Sequence, residues 1–578
     1  MSSIESEWRR YLLENKIIEG PVELKKREGV LALLRSLIPS FIRRCIKENN
    51  TERTDFECQL KPFGSFGLGG HIAGGDIDLV LLAPLAVRRR DFFEFFSKLL
   101  KSEPIICEVE NILRANVPII KCVVDSIPID ISFVRLQMRS VPADIDLLDD
   151  SVLRNLDSAC LASTDAFRLA LQCVKYWAKQ RCLYGKPMGF LNGGAWTLLL
   201  MKTYLEKRTR VTTNSLDDPT SSLPLSQQVC SSHGFSYSFT SLSSSSVSSD
   251  GSASSSSPSS TATRSSSSIS TSISSVISSS ATASASASAS SSASESPEPF
   301  NLSSSPIHAN STPTISFITL LRSFFSTWST WSWPDPVILT KAIPITPGPS
   351  PDEAHSVATL DTFKNSLLPI ATPCYPVTSA APFVTNSTLS IIVNELDRVH
   401  QLLDCDDSTN SKTKMDMIFK PLRIIKEFKH FIKVTVCCET MKSHDIWARR
   451  MTAHLPRLVE LLESREEIAV IRPLTKSYKS HKLYQSQVEK DLLRQGHPQS
   501  SNTNSFEPLL PGSLYLYCFL VGIGFHERYK WNNTVIDLSD LIQSYCGEIV
   551  LKMNSMDVDV SVHLSAIKRR EVDALVEN

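Results

Sequence analysis

The chain has 578 residues, too many for one core and enough for three or four domains at roughly 150 residues each. Lys and Arg number 60, as do Asp and Glu, so a polybasic, histone-like protein is excluded while a local basic patch is not. A hydrophobic content of 42% excludes a wholly disordered chain.

In chain order, residues 22–47 carry helical periodicity, and residues 60–83 read as a turn leading into a strand. Segments 117–124 and 127–134 read as strands paired around Asp125-Ser126. Residues 164–181 form an amphipathic helix. Its apolar positions Phe167, Ala170, Leu171, Val174, Trp177 and Ala178 fall at three-and-four spacing, with Ser163, Thr164 or Asp165 to cap its start. A composition break follows at 212–313. Between Ser231 and Phe300, 37 of 70 residues are serine, too little apolar surface to offset the entropy of ordering, so a disordered surface insertion is expected.

Beyond the break, 316–328 read as a helix, stopped by the prolines of Trp331-Ser332-Trp333-Pro334-Asp335-Pro336. Trp331 and Trp333 are assigned to packing. Residues 376–390 read as a linker. The remainder alternates: strand 428–436, helix 445–463, strand 468–471, polar loop 484–511, strand 514–525 and helix 538–550, a small α+β sandwich. The apolar run 514–525 is the longest and falls short of the about 20 residues a membrane span needs. The first 30 residues lack the apolar centre of a secretory signal. The 14 cysteines show no CxxC and no zinc-ligand spacing, which suits free thiols in a reducing compartment.

Chemistry concentrates in residues 63–82, FGSFGLGGHIAGGDIDLVLL. Its glycines let backbone amides approach a phosphate, and Ser65 adds a hydroxyl. Asp76 and Asp78 are two apart, so on a strand both carboxylates point to one face, where they repel unless a divalent cation sits between them. Asp130, flanked by apolar residues in the strand Pro128-Ile129-Asp130-Ile131-Ser132-Phe133, is the expected third acid. Three carboxylates beside a phosphate cradle are what two-metal nucleotidyl transfer requires. A lone Asp-x-Asp after a glycine turn is commonly just solvated; Gly-Ser, then Asp-x-Asp eleven positions on, then an apolar-flanked Asp favours the metal site. Lys175 and Lys179 stand i, i+4 on one helical face, as a triphosphate needs.

These residues resemble the DNA polymerase beta-like nucleotidyltransferases, and the fuller resemblance is to the nuclear poly(A) polymerases of eukaryotes. It is carried by 63–84, 128–136, 146–157, VKYWAKQRCLY (174–184), GFLNGGAW (189–196), FFSTWSTWSWPDP (324–336), LPIATPCYP (368–376), 428–436 and 567–572. The resemblance implies a multidomain α+β protein with a nucleotidyltransferase palm, a helical middle domain and a C-terminal α/β sandwich like an RNA-recognition fold. The expected division is 1–52, N-terminal helices packing with the middle domain; 53–148, catalytic; 149–211 and 314–379, middle domain; 212–313, the insertion; and 380–578, C-terminal. It implies Asp76, Asp78 and Asp130 as ligands of two Mg²⁺ or Mn²⁺ ions. ATP would meet Phe63, Gly64, Ser65, Ile72, Lys175, Lys179, Tyr184, Gly193 and Gly194.

The implied reaction is addition of AMP from ATP to RNA 3′ ends, as a monomer in the nucleus without membrane attachment. Pre-mRNA cleavage and polyadenylation factors would be its partners. Arg449, Arg450, Lys568, Arg569 and Arg570 are the basic residues expected to touch RNA. The sequence departs from the family at Gly67 (usually Arg), Ile72 (usually Thr), Lys186 (usually Asn) and Gly194 (usually Val), and lacks a Ser-Leu-Asn-Gly segment after Cys160. A terminal uridylyltransferase and a catalytically inactive RNA-binding scaffold are the competing readings.

Overall fold

The computed structural model describes residues 3–49, 55–113, 117–145, 165–214, 315–339, 361–373, 377–405, 410–496, 511–530, 536–553 and 559–577. The serine-rich insertion, segment 146–157 and the expected capping residues Ser163 and Thr164 lie outside them.

The first sheet has the order β1-β2-β5-β4-β3, with β1 Gln59–Pro62, β2 Ile77–Ala83, β3 Ile106–Ile112, β4 Ile119–Val124 and β5 Ile127–Arg135. β2 is a nearly continuous apolar run, as a central strand buried on both faces should be, and it pairs in parallel with β5. β4 and β5 form a hairpin whose two turn residues, Asp125 and Ser126, have φ of 48° and 65°. Positive φ at both positions gives the turn the twist of the strands it joins, and short polar side chains tolerate it best.

Helices Pro21–Ser36 and Ile38–Asn49 bury Val30, Leu34 and Phe41 in one core with Leu79, Leu81, Phe92, Phe96 and Ile131. This corrects the expectation that all N-terminal helices pack with the middle domain. Only Ser3–Glu14 does so: Trp8 meets Phe317 edge-on at 5.4 Å, and Tyr11 donates to Asp416 at 2.8 Å. The reason is local, since the apolar stripe of the second and third helices faces the strands that follow them directly in sequence.

The middle region is built from helices Asp165–Gln180, Gly193–Asn214, Phe317–Ser329 and Asn386–Asp404. Trp177 lies edge-on to Trp196 at 5.4 Å and to Phe325 at 5.0 Å. Trp328 donates to Thr203 at 3.0 Å and stacks with Trp333 at 5.9 Å, in keeping with a packing role for the tryptophan run. Residues 376–390 are not simply a linker: Ser379, Ala380 and Ala381 are buried, and Thr385 caps helix Asn386–Asp404. Its Ser/Thr/Asn-rich start disguised a capping box; the helix packs along Phe317–Ser329, and its Ile391, Leu396 and Val399 are buried in a core that continues into the C-terminal region.

The second sheet has the order β10-β6-β9-β7, with β8 also on β9; its strands are β6 His430–Cys438, β7 Ile468–Pro473, β8 Tyr478–Tyr484, β9 Gly512–Phe525 and β10 Val560–Lys568. Helices Met441–Glu463 and Ser539–Val550 cover one face through Trp447, Met451 and Tyr545. The expected polar loop 484–511 contains helix Gln487–Arg494, capped by Ser486, among its described residues. No helix among the described residues is long and apolar enough to cross a membrane.

Candidate active site

Asp78 and Asp130 face each other across the parallel β2–β5 pair, and Asp76 stands just before β2. One oxygen from each carboxylate lies within 4.8 Å of the other two, the arrangement the alternation of β2 and β5 predicts. Three acids so close penalise their own ionisation. Burial, then Asp76 and Asp130, push Asp78 up to about 6, against the pull of Lys175 and Lys121. Oxygen-only donors and surplus negative charge fit a hard divalent cation such as Mg²⁺ or Mn²⁺.

Lys121 is the cation next to this cluster that sequence reasoning missed. Its Nζ donates to Asp130 Oδ1 and Oδ2 at 2.8 and 2.7 Å. The signal was available: a two-residue turn at 125–126 sets residue 121 opposite 130, as the β4–β5 register has it.

The glycine loop wraps the acids. Gly64 has φ +60°, and a Cβ there would collide with Asp78 Oδ2, so this position needs glycine twice over. Ser65 is half-buried, the Phe63 ring is 42% exposed, and the Ile72 side chain packs inside the protein at 7% exposure. Two walls hold the loop. On one side, buried Arg27 makes a bidentate pair with Glu19 at 2.6 and 2.7 Å and donates to the Gly75 carbonyl at 2.7 Å. Glu19 also lies 3.6 Å from His71 Nε2. On the other side, Gln172 donates to the His71 carbonyl at 3.1 Å and Arg168 to the Leu68 carbonyl at 3.2 Å. Burial and the neighbouring Arg27 hold His71 below the usual imidazole range. Nothing in the spacing of Glu19, Arg27 and His71 foretold this clamp, because it joins one helix and a residue preceding it to a loop roughly fifty residues away in sequence.

Helix Asp165–Gln180 aims its lysines at the acids. Lys175 is only 5% exposed, and burial, then Lys179, bring its ammonium down to about 8 while Asp76 and Asp78 oppose the shift. Burial also lowers Lys179, whose Nζ sits 5.4 Å from the Tyr184 ring centroid. Tyr184 is held above the usual phenol range by burial and by Asp76, although a hydrogen bond from the Gly193 backbone works the other way. A Cβ at Gly193 would strike the Tyr184 hydroxyl. Gly194 follows in the first turn of helix Gly193–Asn214, and Lys186 sits in the short turn Lys186–Met188. Acids, lysines, tyrosine and glycine loop thus meet in one place.

The expected RNA residues do not form one cluster. Arg449 pairs with Glu110 of the first sheet at 3.3 Å, and Arg450 lies over the Trp447 ring at 5.0 Å. Lys568 is registered with His430 at the far end of β6 from that helix's start, with Arg569 and Arg570 following.

Residues 5–175 match the poly(A) polymerase nucleotidyltransferase domain, 166–204 and 310–421 its central domain, and 425–578 its predicted RNA binding domain. The chain is 24% identical over 494 residues to a poly(A) polymerase of Candida albicans, PAPalpha, covering 82% of this chain and 69% of that protein. It is 33% identical over 216 residues to a poly(A) polymerase of Dictyostelium discoideum, covering 34% of this chain and only 27% of that protein. Among solved structures, a cytoplasmic RNA terminal U-transferase superposes with a TM-score of 0.39 and 15% identity, over 73% of this chain and 99% of that one.

Proposed function

Since the chain belongs to the poly(A) polymerase family and carries its nucleotidyltransferase domain, we propose that it adds AMP from ATP to RNA 3′ ends, in the polyadenylation of mRNA. The observation that carries this reading is the juxtaposition of Asp76, Asp78 and Asp130 with Lys175, Lys179 and Tyr184. The three acids would hold two Mg²⁺ or Mn²⁺ ions, which supply activation of the primer hydroxyl and neutralisation of the triphosphate when bound. The remaining work falls to the chain itself. Lys175 and Lys179 offset charge on the departing pyrophosphate. The loop at Gly64 and Ser65 brings amides and a hydroxyl to the phosphates. Tyr184, fixed by the Gly193 amide and carrying Lys179 over its ring, offers a face to the nucleoside. As the 3′ hydroxyl loses its proton to solvent, its oxygen bonds the α-phosphorus and the bond to pyrophosphate breaks.

A nuclear site of action and association with cleavage factors belong to the same proposal. Lys186 and Gly194, which stand where the family has other residues, favour a test of base selection. Purified protein is incubated with an oligo(A) primer, Mg²⁺ or Mn²⁺, and each nucleoside triphosphate separately. Extension with ATP alone supports this reading. Extension with UTP replaces it with a uridylyltransferase, and no extension with an inactive RNA-binding scaffold.

A further inference from the structure

We propose that the β8–β9 edge of the C-terminal sheet is a stacking track for single-stranded RNA, running outward from the nucleotide site; this rests on the reading of RNA as substrate. The track begins at the site itself. Gly185, next to Tyr184, lies against Thr475, a Cβ on it being 3.3 Å from the threonine methyl. Thr475 also hydrogen-bonds Cys182. From there the chain enters β8, and Ser477 donates to the Tyr517 hydroxyl at 2.7 Å.

Register then places Lys479 opposite Tyr517 and His481 opposite Tyr515. Directly opposed residues share a face, so these four side chains form one surface. Lys479 lies 5.7 Å from the Tyr517 ring centroid, and the His481 and Tyr515 rings are 4.8 Å apart. Phe519, next in the same alternation, is buried beneath helix Met441–Glu463. At Tyr517 and Tyr515 that cover ends. His444, in the helix's first turn, stands 5.5 and 6.1 Å from their rings and is itself paired with Asp445. Tyr515 and Tyr517 are therefore half-buried, while Lys479 and His481 are exposed.

From Thr475 to His481 this surface runs on the order of 20 Å at strand rise. Aromatic faces beside an exposed ammonium are the chemistry of sequence-tolerant single-strand binding, where rings stack on bases and the cation meets phosphate. The primer's 3′ hydroxyl must reach the acids, and Asp76 of that cluster is close enough to Tyr184 to act on its phenol, so upstream nucleotides leaving the site have this surface beside them.

The test is fluorescence anisotropy of labelled oligo(A) on the full chain, without nucleotide or added metal. Primers of about three and about twelve nucleotides are compared, the first below and the second within the roughly 4–16 nucleotides of a usual single-strand site. Tyr515→Ala is expected to weaken the longer primer roughly tenfold, within the range for loss of one base–aromatic stack, and to leave the shorter unchanged. Lys479→Ala, an exposed side chain whose loss leaves the fold intact, is expected to reduce the salt dependence of the longer primer by about 0.7 in slope. Unchanged binding of the longer primer in both variants overturns the proposal, as does equal weakening of both lengths. Length-dependent weakening in a chain that fails to extend with ATP supports the track while overturning the adenylyltransferase reading.

Discussion

Lys121 grips both carboxylate oxygens of Asp130, at 2.8 and 2.7 Å, from the directly opposed position of the neighbouring strand. It is half-exposed, so the pair is worth less than about 1 kcal/mol. It nonetheless occupies oxygens that a divalent ion would use. Lys121→Ala is expected to tighten Mn²⁺ binding roughly two- to fivefold, the equivalent of that pair. Calorimetric titration of the two proteins decides it, and weaker binding in the variant would refute competition.

The acid cluster should make stability depend on pH and metal. Asp78 moves from an ordinary 3.8 to about 6 on folding. A raised folded value means that its favourable contribution is complete below about 3.8 and lost as pH rises through about 6. Without metal at pH 8, Asp78→Asn should therefore stabilise the protein by roughly 1–2 kcal/mol, after discounting the shift for solvent screening. The gain should vanish near pH 4 and be matched in the parent by Mn²⁺, while primer extension falls at least 100-fold, as about 3 kcal/mol of lost transition-state stabilisation would give. Thermal melts with and without Mn²⁺ across this range are the measurement, and a variant less stable at pH 8 would count against the like-charge account.

Lys175 should trade stability for nucleotide use. Its folded value of about 8 lies below the ordinary 10.5, so its favourable contribution exists above about 10.5 and is lost as pH falls through about 8. At pH 7 the buried ammonium is a cost. Lys175→Met should raise stability there by on the order of 2–3 kcal/mol and lower apparent ATP affinity and turnover together. Lys568→Ala is the comparison, since it should spare ATP-dependence. An unchanged ATP requirement in Lys175→Met would remove the helix from the nucleotide.

The clamp on the glycine loop can be broken from a distance. Glu19→Gln leaves Arg27 buried without its counter-charge, a change that costs about 3 kcal/mol where partners are lost from a buried pair. The loop carbonyl of Gly75 and amide of Gly74 lose their fixed partners, so KM for ATP should rise more than kcat falls. Denaturant melts and ATP titrations check both parts, and an unaltered midpoint would show that the pair bears no stability.

Deletion of 231–310 should leave activity and melting temperature nearly unchanged. The helices that flank the insertion are tied together by the Trp328–Thr203 hydrogen bond at 3.0 Å. Loop length itself costs little, about 0.6 kcal/mol per doubling. A melting temperature several degrees lower would refute a passive insertion.

Local pattern determined much of this protein. The apolar run of β2, the alternation around Asp130 and the turn residues Asp125 and Ser126 are short-range facts that place Asp78 and Asp130 on facing strands. The three-and-four spacing of helix Asp165–Gln180 likewise fixes which way Lys175 and Lys179 point relative to its apolar stripe. Where the sequence reading failed, a polar start concealed a helix: Thr385 and Ser486 read as loop residues because the side chains that cap helices are also those that favour turns. What only the tertiary structure decided are the contacts between residues far apart in sequence. Glu19 and Arg27 holding Gly75, Arg449 reaching Glu110, and Thr475 set against Gly185 depend on how finished elements pack. Burial decides Lys175 and Asp78 in the same way: their altered proton affinities come from the loss of water and the approach of other charges, which no residue carries in its own neighbourhood of the chain.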